Sequence, residues 1–182
     1  MNIALWILAV QGILGAFDTL YYHEWRAQLP ARGKVAAAEL KIHAVRDFLY
    51  AVLFGTLPWI AWQGMFVVIL GAVILSEIIL TLWDFIVEIS VRKSLGDVYA
   101  GERVTHALMA ILYGAALANL FPTFLQWWSL PSSLAVSPAP VPYSLRWGLL
   151  GMAAGVFVSG LRDLYAASEL PNGEWPWKRL QS

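Results

Sequence analysis

Long apolar stretches recur along the chain, and they constrain its fold more than any other feature of the sequence. Five of them can be traced, at about residues 2–22, 40–62, 65–90, 105–127 and 145–167. A helix needs about 20 predominantly apolar residues to cross the hydrocarbon core of a bilayer. Only 13% of the residues are charged, against about 25% in a typical soluble domain. We therefore predict an all-α integral membrane protein with five transmembrane helices.

Other bulk features narrow the class of protein further. The first apolar stretch has no basic segment ahead of it and no clear cleavage site, so we expect it to be retained as a membrane span. The chain has no cysteine, which excludes disulfides and thiolate metal ligands. Its formal net charge is zero, which argues against a nucleic-acid partner. The expected partner is membrane lipid or a hydrophobic small molecule, and a homo-oligomer is left open.

The lysines and arginines indicate an orientation in the membrane. With five spans, eleven of the twelve fall on one side: Arg26, Arg32, Lys34, Lys41, Arg46, Arg92, Lys93, Arg103, Arg162, Lys178 and Arg179. Only Arg146 falls on the other side. Cytoplasmic loops carry such an excess, so we expect an inner-membrane protein with its N-terminus outside and its C-terminus cytoplasmic. We expect a single membrane domain over 1–182, with an extended outer loop at 129–144 and a cytoplasmic tail at 168–182.

The chain also contains an internal repeat. Two pairs of segments share one frame: 17–29 with 83–95, and 39–51 with 102–114. In each unit an aromatic–Asp pair lies near the end of one helix, and Glu-x-x-x-His opens the next. We predict that 14–55 and 80–118 are duplicated helical hairpins related by a pseudo-two-fold axis along the membrane normal. The first four helices would then form a four-helix bundle.

The repeat brings ionisable residues to one depth of that bundle. Residues four apart share a helix face, so each Glu-x-x-x-His projects a carboxylate and an imidazole together. Ionisable groups inside a membrane are costly and mark functional sites, and a sulfur-free set of oxygen and nitrogen donors suits iron, manganese or zinc. The predicted metal ligands are Asp18, Glu24, Glu39, His43, Asp84, Glu88, Glu102 and His106. We expect a divalent-metal cofactor, with two iron ions favoured and manganese or zinc as alternatives.

The order of these residues resembles that of the ferritin-like di-iron bundles. Those proteins place a Glu on each of two helices and Glu-x-x-His on each of the other two. Here an acid, Glu39 with His43, a second acid, and Glu102 with His106 follow one another, with i,i+4 spacing in place of i,i+3. The resemblance is one of arrangement. It implies a dinuclear carboxylate-rich centre.

Three further residues are candidates for catalysis. Glu77 is the deepest acid of the chain, two helical turns before the metal-ligand acids, and we expect it to relay a proton. Tyr50 and Tyr113 are duplicated seven residues after the two repeated histidines. They are either hydrogen-bonded core residues, or functional residues that contact the substrate or relay a radical or a proton. The adjacent pair His23–Glu24 has no counterpart in the repeat, and His23 is considered as an extra ligand or base.

These features favour a membrane-embedded metal oxidoreductase or hydroxylase that acts on a lipid, isoprenoid or quinone. Two alternatives of other classes stay open. The parallel repeat and the acids also suit a proton- or cation-coupled transporter or channel, and His43 with His106 could bind a haem in a membrane subunit. Metal analysis and a visible spectrum of the purified protein would separate these three.

Overall fold

The computed structural model describes residues 1–177 and is mostly helical, at 76%. Its helical elements are α1 (Asn2–Phe17), a π segment (Asp18–Ala27), a 3-10 segment (Leu29–Val35), α2 (Ala37–Thr56), α3 (Phe66–Lys93), α4 (Ala100–Trp128) and α5 (Tyr143–Ala167). Four of the helices are long and apolar enough to cross a membrane, namely α1 with its π segment, α3, α4 and α5. The predicted bundle of apolar helices is confirmed at this level.

The helix α2 differs from the other four in composition. It has 20 residues, close to the length of a membrane span. It also carries the titratable side chains of Glu39, Lys41, His43, Arg46 and Asp47, and it is not among the four apolar helices. Its position in a membrane therefore remains a prediction.

The helices pack in two main groups. α1 packs against α4, while α2 packs between α3 and α5. The consecutive helices α3 and α4 contact each other at few points. α5 lies close along α2 because Gly160 has no side chain there: a Cβ on it would lie 3.0 Å from the carbonyl oxygen of Ala44 and 3.0 Å from the ring of Phe48.

One end of the bundle carries a two-stranded antiparallel sheet. β1 (Ile60–Gln63) pairs with β2 (Ser133–Val136). The prediction of helix up to residue 62 is wrong at this point, because α2 ends at Thr56. Pro58 explains the early end, because a proline has no backbone N–H to continue the helical hydrogen bonds and its ring clashes with the preceding turn. β2 lies within the uncharged stretch 129–144.

The apolar surfaces lie on both sides of the helices. Leucines from all five helices form a buried core towards the sheet end, including Leu5, Leu53, Leu70, Leu120 and Leu149. Large apolar residues also cover the outside, such as Trp6, Ile79, Ile86, Ile111 and Val158, each about half exposed or more. Helices that are hydrophobic all round are typical of membrane spans.

A buried polar layer interrupts the apolar core. Along α2, Leu40 belongs to a small apolar cluster at the end opposite the sheet, and Leu53 belongs to the main core. Between them lie His43 and Arg46. The candidate site lies in this layer. The structure describes the predicted cytoplasmic tail only as far as Trp177. Lys178 and Arg179, two of the eleven basic residues predicted on the cytoplasmic side, lie outside the described residues.

Candidate metal centre

His23 lies at the centre of the buried polar layer. Its Nε2 atom is 3.2 Å from Glu102 Oε1 and 3.4 Å from Asp18 Oδ2. Its ring stacks on that of His43, with centroids 4.6 Å apart, and it meets the ring of His106 edge-on at 6.4 Å. The three histidines of the chain therefore form one cluster.

The π segment explains how Asp18 and His23 come together. These residues are five apart, and in an α-helix of 3.6 residues per turn they would point about 140° apart. A π-helix instead closes i→i+5 hydrogen bonds, and such turns are frequent at functional sites. The segment ends at Ala27, and the next residue, Gln28, has a left-handed φ of 52°. The unusual helix thus supplies two side chains to the same point.

Two Asp–His pairs cross between the two predicted repeat units. Asp18 at the end of α1 pairs with His106 of α4, with 3.1 Å between Oδ2 and Nε2. Asp84 of α3 pairs with His43 of α2 at the same distance between the same atoms. Each pair joins the first helix of one unit to the second helix of the other. Asp18, Asp84 and His43 are buried, and the side chain of His106 is 10% exposed.

The side chains form two groups that could hold a metal ion. One group is Asp18, His23 and His106; the other is His23, Glu39 and His43. Within each group the three donor atoms lie within 4.8 Å of one another. Imidazole and carboxylate donors without sulfur suit iron, manganese or zinc. The two groups overlap at His23, and because a neutral imidazole binds one metal, a second cation would need the neighbouring carboxylates to complete its ligands.

A buried arginine holds the two repeated glutamates. The side chain of Arg92 is 1% exposed. Its Nη2 donates to Glu39 Oε1 at 2.8 Å, and its Nε donates to both oxygens of the same carboxylate, at 2.9 Å to Oε1 and 3.0 Å to Oε2. Nη2 also donates to Glu102 Oε1 at 3.1 Å. A bidentate pairing of this kind is strong and directional. Arg92 therefore orients both carboxylates, as hydrogen-bonding partners outside a metal's own ligands commonly do.

The centre has an excess of buried negative charge. Within residues 1–177, seven carboxylates are buried: Asp18, Glu39, Glu77, Asp84, Glu88, Glu102 and Asp163. Arg92 and Arg46 contact them, and Arg46 donates to Asp84 at 2.6 Å. These two arginines and three protonated histidines would balance five of the seven charges, and Arg162, which lies 4.0 Å from Asp163, pairs more closely with Glu24 at 2.6 Å. Because uncompensated charge is costly to bury, the cluster needs either bound cations or protonated acids.

Three other acids lie at the edge of the centre. Glu88, a predicted ligand, has its Oε2 atom 3.8 Å from His106 Nδ1 and belongs to neither donor group. Glu24, also a predicted ligand, instead pairs with Arg162 at 2.6 Å and belongs to neither group. Asp163 of α5 reaches His43, with 4.0 Å between Oδ2 and Nδ1. The fifth helix thus contributes to the surroundings of the site.

The predicted catalytic residues form a separate layer towards the sheet end. Glu77 is 1% exposed, and the hydroxyl of Thr81 donates to its Oε1 at 2.6 Å. The rings of Tyr50 and Tyr113 meet at 5.9 Å. Arg46 connects this layer to the centre, because its Nε lies 3.8 Å from Glu77 Oε1 while its Nη1 contacts Asp84.

The hydrogen bonding of this layer is incomplete within the described residues. Gln11 donates to the Tyr50 hydroxyl at 2.8 Å. Glu77 Oε2, Gln11 Oε1 and the Tyr113 hydroxyl are buried without a hydrogen-bond partner among residues 1–177. Buried polar atoms in such places commonly bind ordered water. The layer therefore suits a short path for protons.

Two residues at the centre go beyond the eight predicted ligands. His23 is considered in the sequence only as an extra ligand or base, because the repeat has no counterpart for it. The π-helical geometry turns it towards Asp18, and a spacing of five residues does not predict a shared face under α-helical periodicity. Arg92 is visible as a repeated residue, since it aligns with Arg26, but its burial is not.

Comparisons with protein-family models, with curated proteins and with solved structures find no match for this chain. The functional interpretation therefore depends on the geometry of the centre.

Proposed function

We propose that the protein is a membrane-embedded oxidoreductase or hydroxylase that uses a metal centre, with two iron ions favoured, on a hydrophobic substrate. The observation that carries this proposal is the pair of buried donor groups that meet at His23. They hold the oxygen and nitrogen donors that iron prefers, and manganese or zinc is the alternative. Bound cations would also balance the excess negative charge of the cluster.

The residues around the donor groups support a reactive centre more than a purely structural one. Arg92 fixes Glu39 and Glu102, and the Asp–His pairs fix the rings of His43 and His106. Two metals bridged in such a site can activate oxygen or water. The layer of Glu77 would move protons to or from the centre through Arg46 and buried water.

The surroundings favour a lipid, isoprenoid or quinone as the substrate. The outer faces of α1, α3, α4 and α5 are apolar and exposed, so a molecule dissolved in the membrane could approach the bundle from the side. A charged water-soluble substrate would have to cross this apolar surface. The expected partner is therefore a hydrophobic small molecule of the membrane.

The proposal includes the duplicated architecture in the inner membrane. Five spans, with α2 as the second, would form the bundle, and 14–55 and 80–118 would be the repeated hairpins. The equal Asp–His distances of 3.1 Å in the two units support this duplication. The basic residues support an outside N-terminus and a cytoplasmic metal centre.

Cysteine labelling should establish this orientation, because the chain has no cysteine of its own. We expect Pro138→Cys to react with a membrane-impermeant maleimide added outside the cell. Lys34→Cys should react only after the membrane is opened. Labelling in the reverse pattern would contradict the orientation. It would not bear on the metal centre.

Lipid conversion tests the proposed activity. We expect iron-loaded protein, incorporated into nanodiscs of native membrane lipid and supplied with reductant and oxygen, to add oxygen to a lipid or remove hydrogen from it. Mass spectrometry of the lipids would detect the product. Metal-free protein is the matched control and should give none.

Proton-coupled transport is the second candidate, favoured by the buried and incompletely bonded Glu77. If metal-loaded protein converts no lipid, while liposomes show proton flux that Glu77→Gln abolishes, the proposed oxidoreductase is wrong and transport is correct.

A further inference from the structure

A cavity of about 450 Å³ lies beside the metal centre. It opens between the end of α3, the turn that follows it and the start of α4. The lining residues are Phe85, Glu88, Ile89, Asp97, Val98 and Arg103. Small-molecule sites commonly enclose about 300–1,000 Å³ and combine apolar walls with a few polar groups. The cavity is half open, its size falls in this range, and its walls combine three apolar with three charged side chains.

The cavity exists because of how the helices pack. α3 rests on α2, and α4 rests on α1, so these two consecutive helices leave a gap between them. Ile89, on the outer face of α3, is 65% exposed. If α3 spans the membrane as proposed, this side of the gap faces lipid. A lipophilic molecule could therefore enter from the bilayer.

Two of the lining residues reach the histidine cluster. The ring of Phe85 stacks on that of His106, with centroids 5.4 Å apart. The Glu88 carboxylate lies 3.8 Å from Nδ1 of the same histidine. Glu88 is 6% exposed, and its Oε2 atom has no hydrogen-bond partner among the described residues. The inner end of the cavity thus presents a free acceptor beside the centre.

The outer end of the cavity is charged but internally paired. Arg103 donates to Asp97 Oδ1 at 2.9 Å, and both side chains are more than half exposed. The backbone N–H of Val98 and the guanidinium of Arg103 hold the pKa of the Asp97 carboxyl below its usual range. Asp97 is therefore ionised near neutral pH. Its ion pair with Arg103 engages the guanidinium that could otherwise bind an anionic headgroup.

We infer that this cavity is the substrate site and that it takes a neutral lipophilic molecule bearing a hydroxyl group, such as a lipid-soluble alcohol or phenol. The hydroxyl would donate to Glu88, and the carbon that bears it would lie towards His106. A fatty-acid carboxylate or a phosphate would meet the ionised Asp97 and an arginine that is already paired with it. A cationic amine could also pair with Glu88, so an ammonium probe tests the neutral ligand against it. This inference rests on the proposed function for its chemistry and on the cavity for its binding.

Photolabelling tests the binding directly. The probe is a long-chain alcohol with a diazirine in its chain, applied to the full-length protein in nanodiscs. Its methyl ether, the matching carboxylate and the matching ammonium compound are the comparison probes. We expect the alcohol to label the peptides that contain Phe85, Ile89 and Val98 at least about tenfold more than its methyl ether, the effect of one hydrogen bond to a charged group.

Two variants and one control distinguish the effect of the cavity's volume from that of the Glu88 carboxylate. Val98→Trp fills the cavity and should reduce labelling about tenfold, while Ile86→Trp adds the same side chain to the exposed face of α3 and should not. Glu88→Leu should remove the preference for the alcohol over the ether. Unchanged labelling of Val98→Trp, or equal labelling by the carboxylate or ammonium probe, would overturn the inference.

Metal content, measured on the same samples, distinguishes the two proposals. Wild-type protein that binds metal but is not labelled in the cavity would overturn the substrate site alone. Wild-type protein that is labelled as expected but holds no metal would support the cavity and overturn the proposed metal enzyme.

Discussion

His23→Ala is expected to lower the metal affinity of the protein at least tenfold and to abolish lipid conversion. His23 belongs to both donor groups, so its loss leaves two donors in each. Loss of even an outer hydrogen-bonding partner commonly costs 10–100-fold in metal affinity, and loss of a donor should cost at least as much. Metal content after dialysis against a weak chelator measures the effect.

Trp25→Ala is the matched control for this variant. Trp25 lies two residues away on the same π segment, and it is 70% exposed. We expect Trp25→Ala to retain metal and activity. If His23→Ala keeps the wild-type metal content, the two donor groups do not form the centre as described.

Arg92→Met is expected to destabilise the fold more than any other single substitution at the centre. Methionine is also long and unbranched but carries no charge, so Glu39 and Glu102 would remain buried without their partner. Breaking a buried ion pair in this way costs about 3–5 kcal/mol. For a chain of this size, the melting temperature should then fall roughly 10 °C. Thermal unfolding in detergent, followed by circular dichroism, measures the change.

Arg26→Met provides an internal comparison, because Arg26 occupies the position equivalent to Arg92 in the other repeat unit. Its guanidinium is exposed and lies over the ring of Tyr99, 4.6 Å from the centroid. We expect Arg26→Met to change the melting temperature by only a few degrees. Equal losses in the two variants would show that the burial of Arg92 is not what stabilises the centre.

The helical bundle could be predicted because apolar length and composition decide it. Helices of membrane length are visible in the sequence as long apolar stretches, and four such helices are present. The short sheet is harder to predict from the sequence. Ile60–Gln63 continues an apolar stretch, so its composition resembles that of the preceding helix, and only Pro58 marks the change.

The candidate site could be predicted in part because duplication identifies residues without a structure. Of the six ligands that the repeat singles out, Asp18, Glu39, His43 and His106 belong to the two donor groups, whereas Asp84 and Glu102 belong to neither. Spacing alone could not decide among the acids of α3, where Asp84 pairs with His43 while Glu88 lies beside His106 and lines the cavity. The contribution of each acid depends on how the helices cross, which a linear pattern does not record.

The role of His23 was the hardest to predict. Helical periodicity assumes α-helical geometry, and under that assumption Asp18 and His23 point apart. Ten residues of π-helix change the periodicity at this point. Breaks of this kind arise from tertiary packing, so the sequence offered an unpaired histidine and no indication of where it points.

Metal analysis of the detergent-purified wild-type protein, combined with a visible spectrum and X-ray absorption at the metal edge, tests the central claim most directly. We predict two iron ions per chain, no Soret band and a shell of oxygen and nitrogen ligands only. The metal–ligand distances should be about 2.0–2.2 Å, as zinc sites show for such ligands, and the metal–metal distance about 3.5–4 Å. A Soret band would show that the histidines bind haem instead. Protein that contains no metal, even after reconstitution with iron, manganese or zinc, would contradict the account.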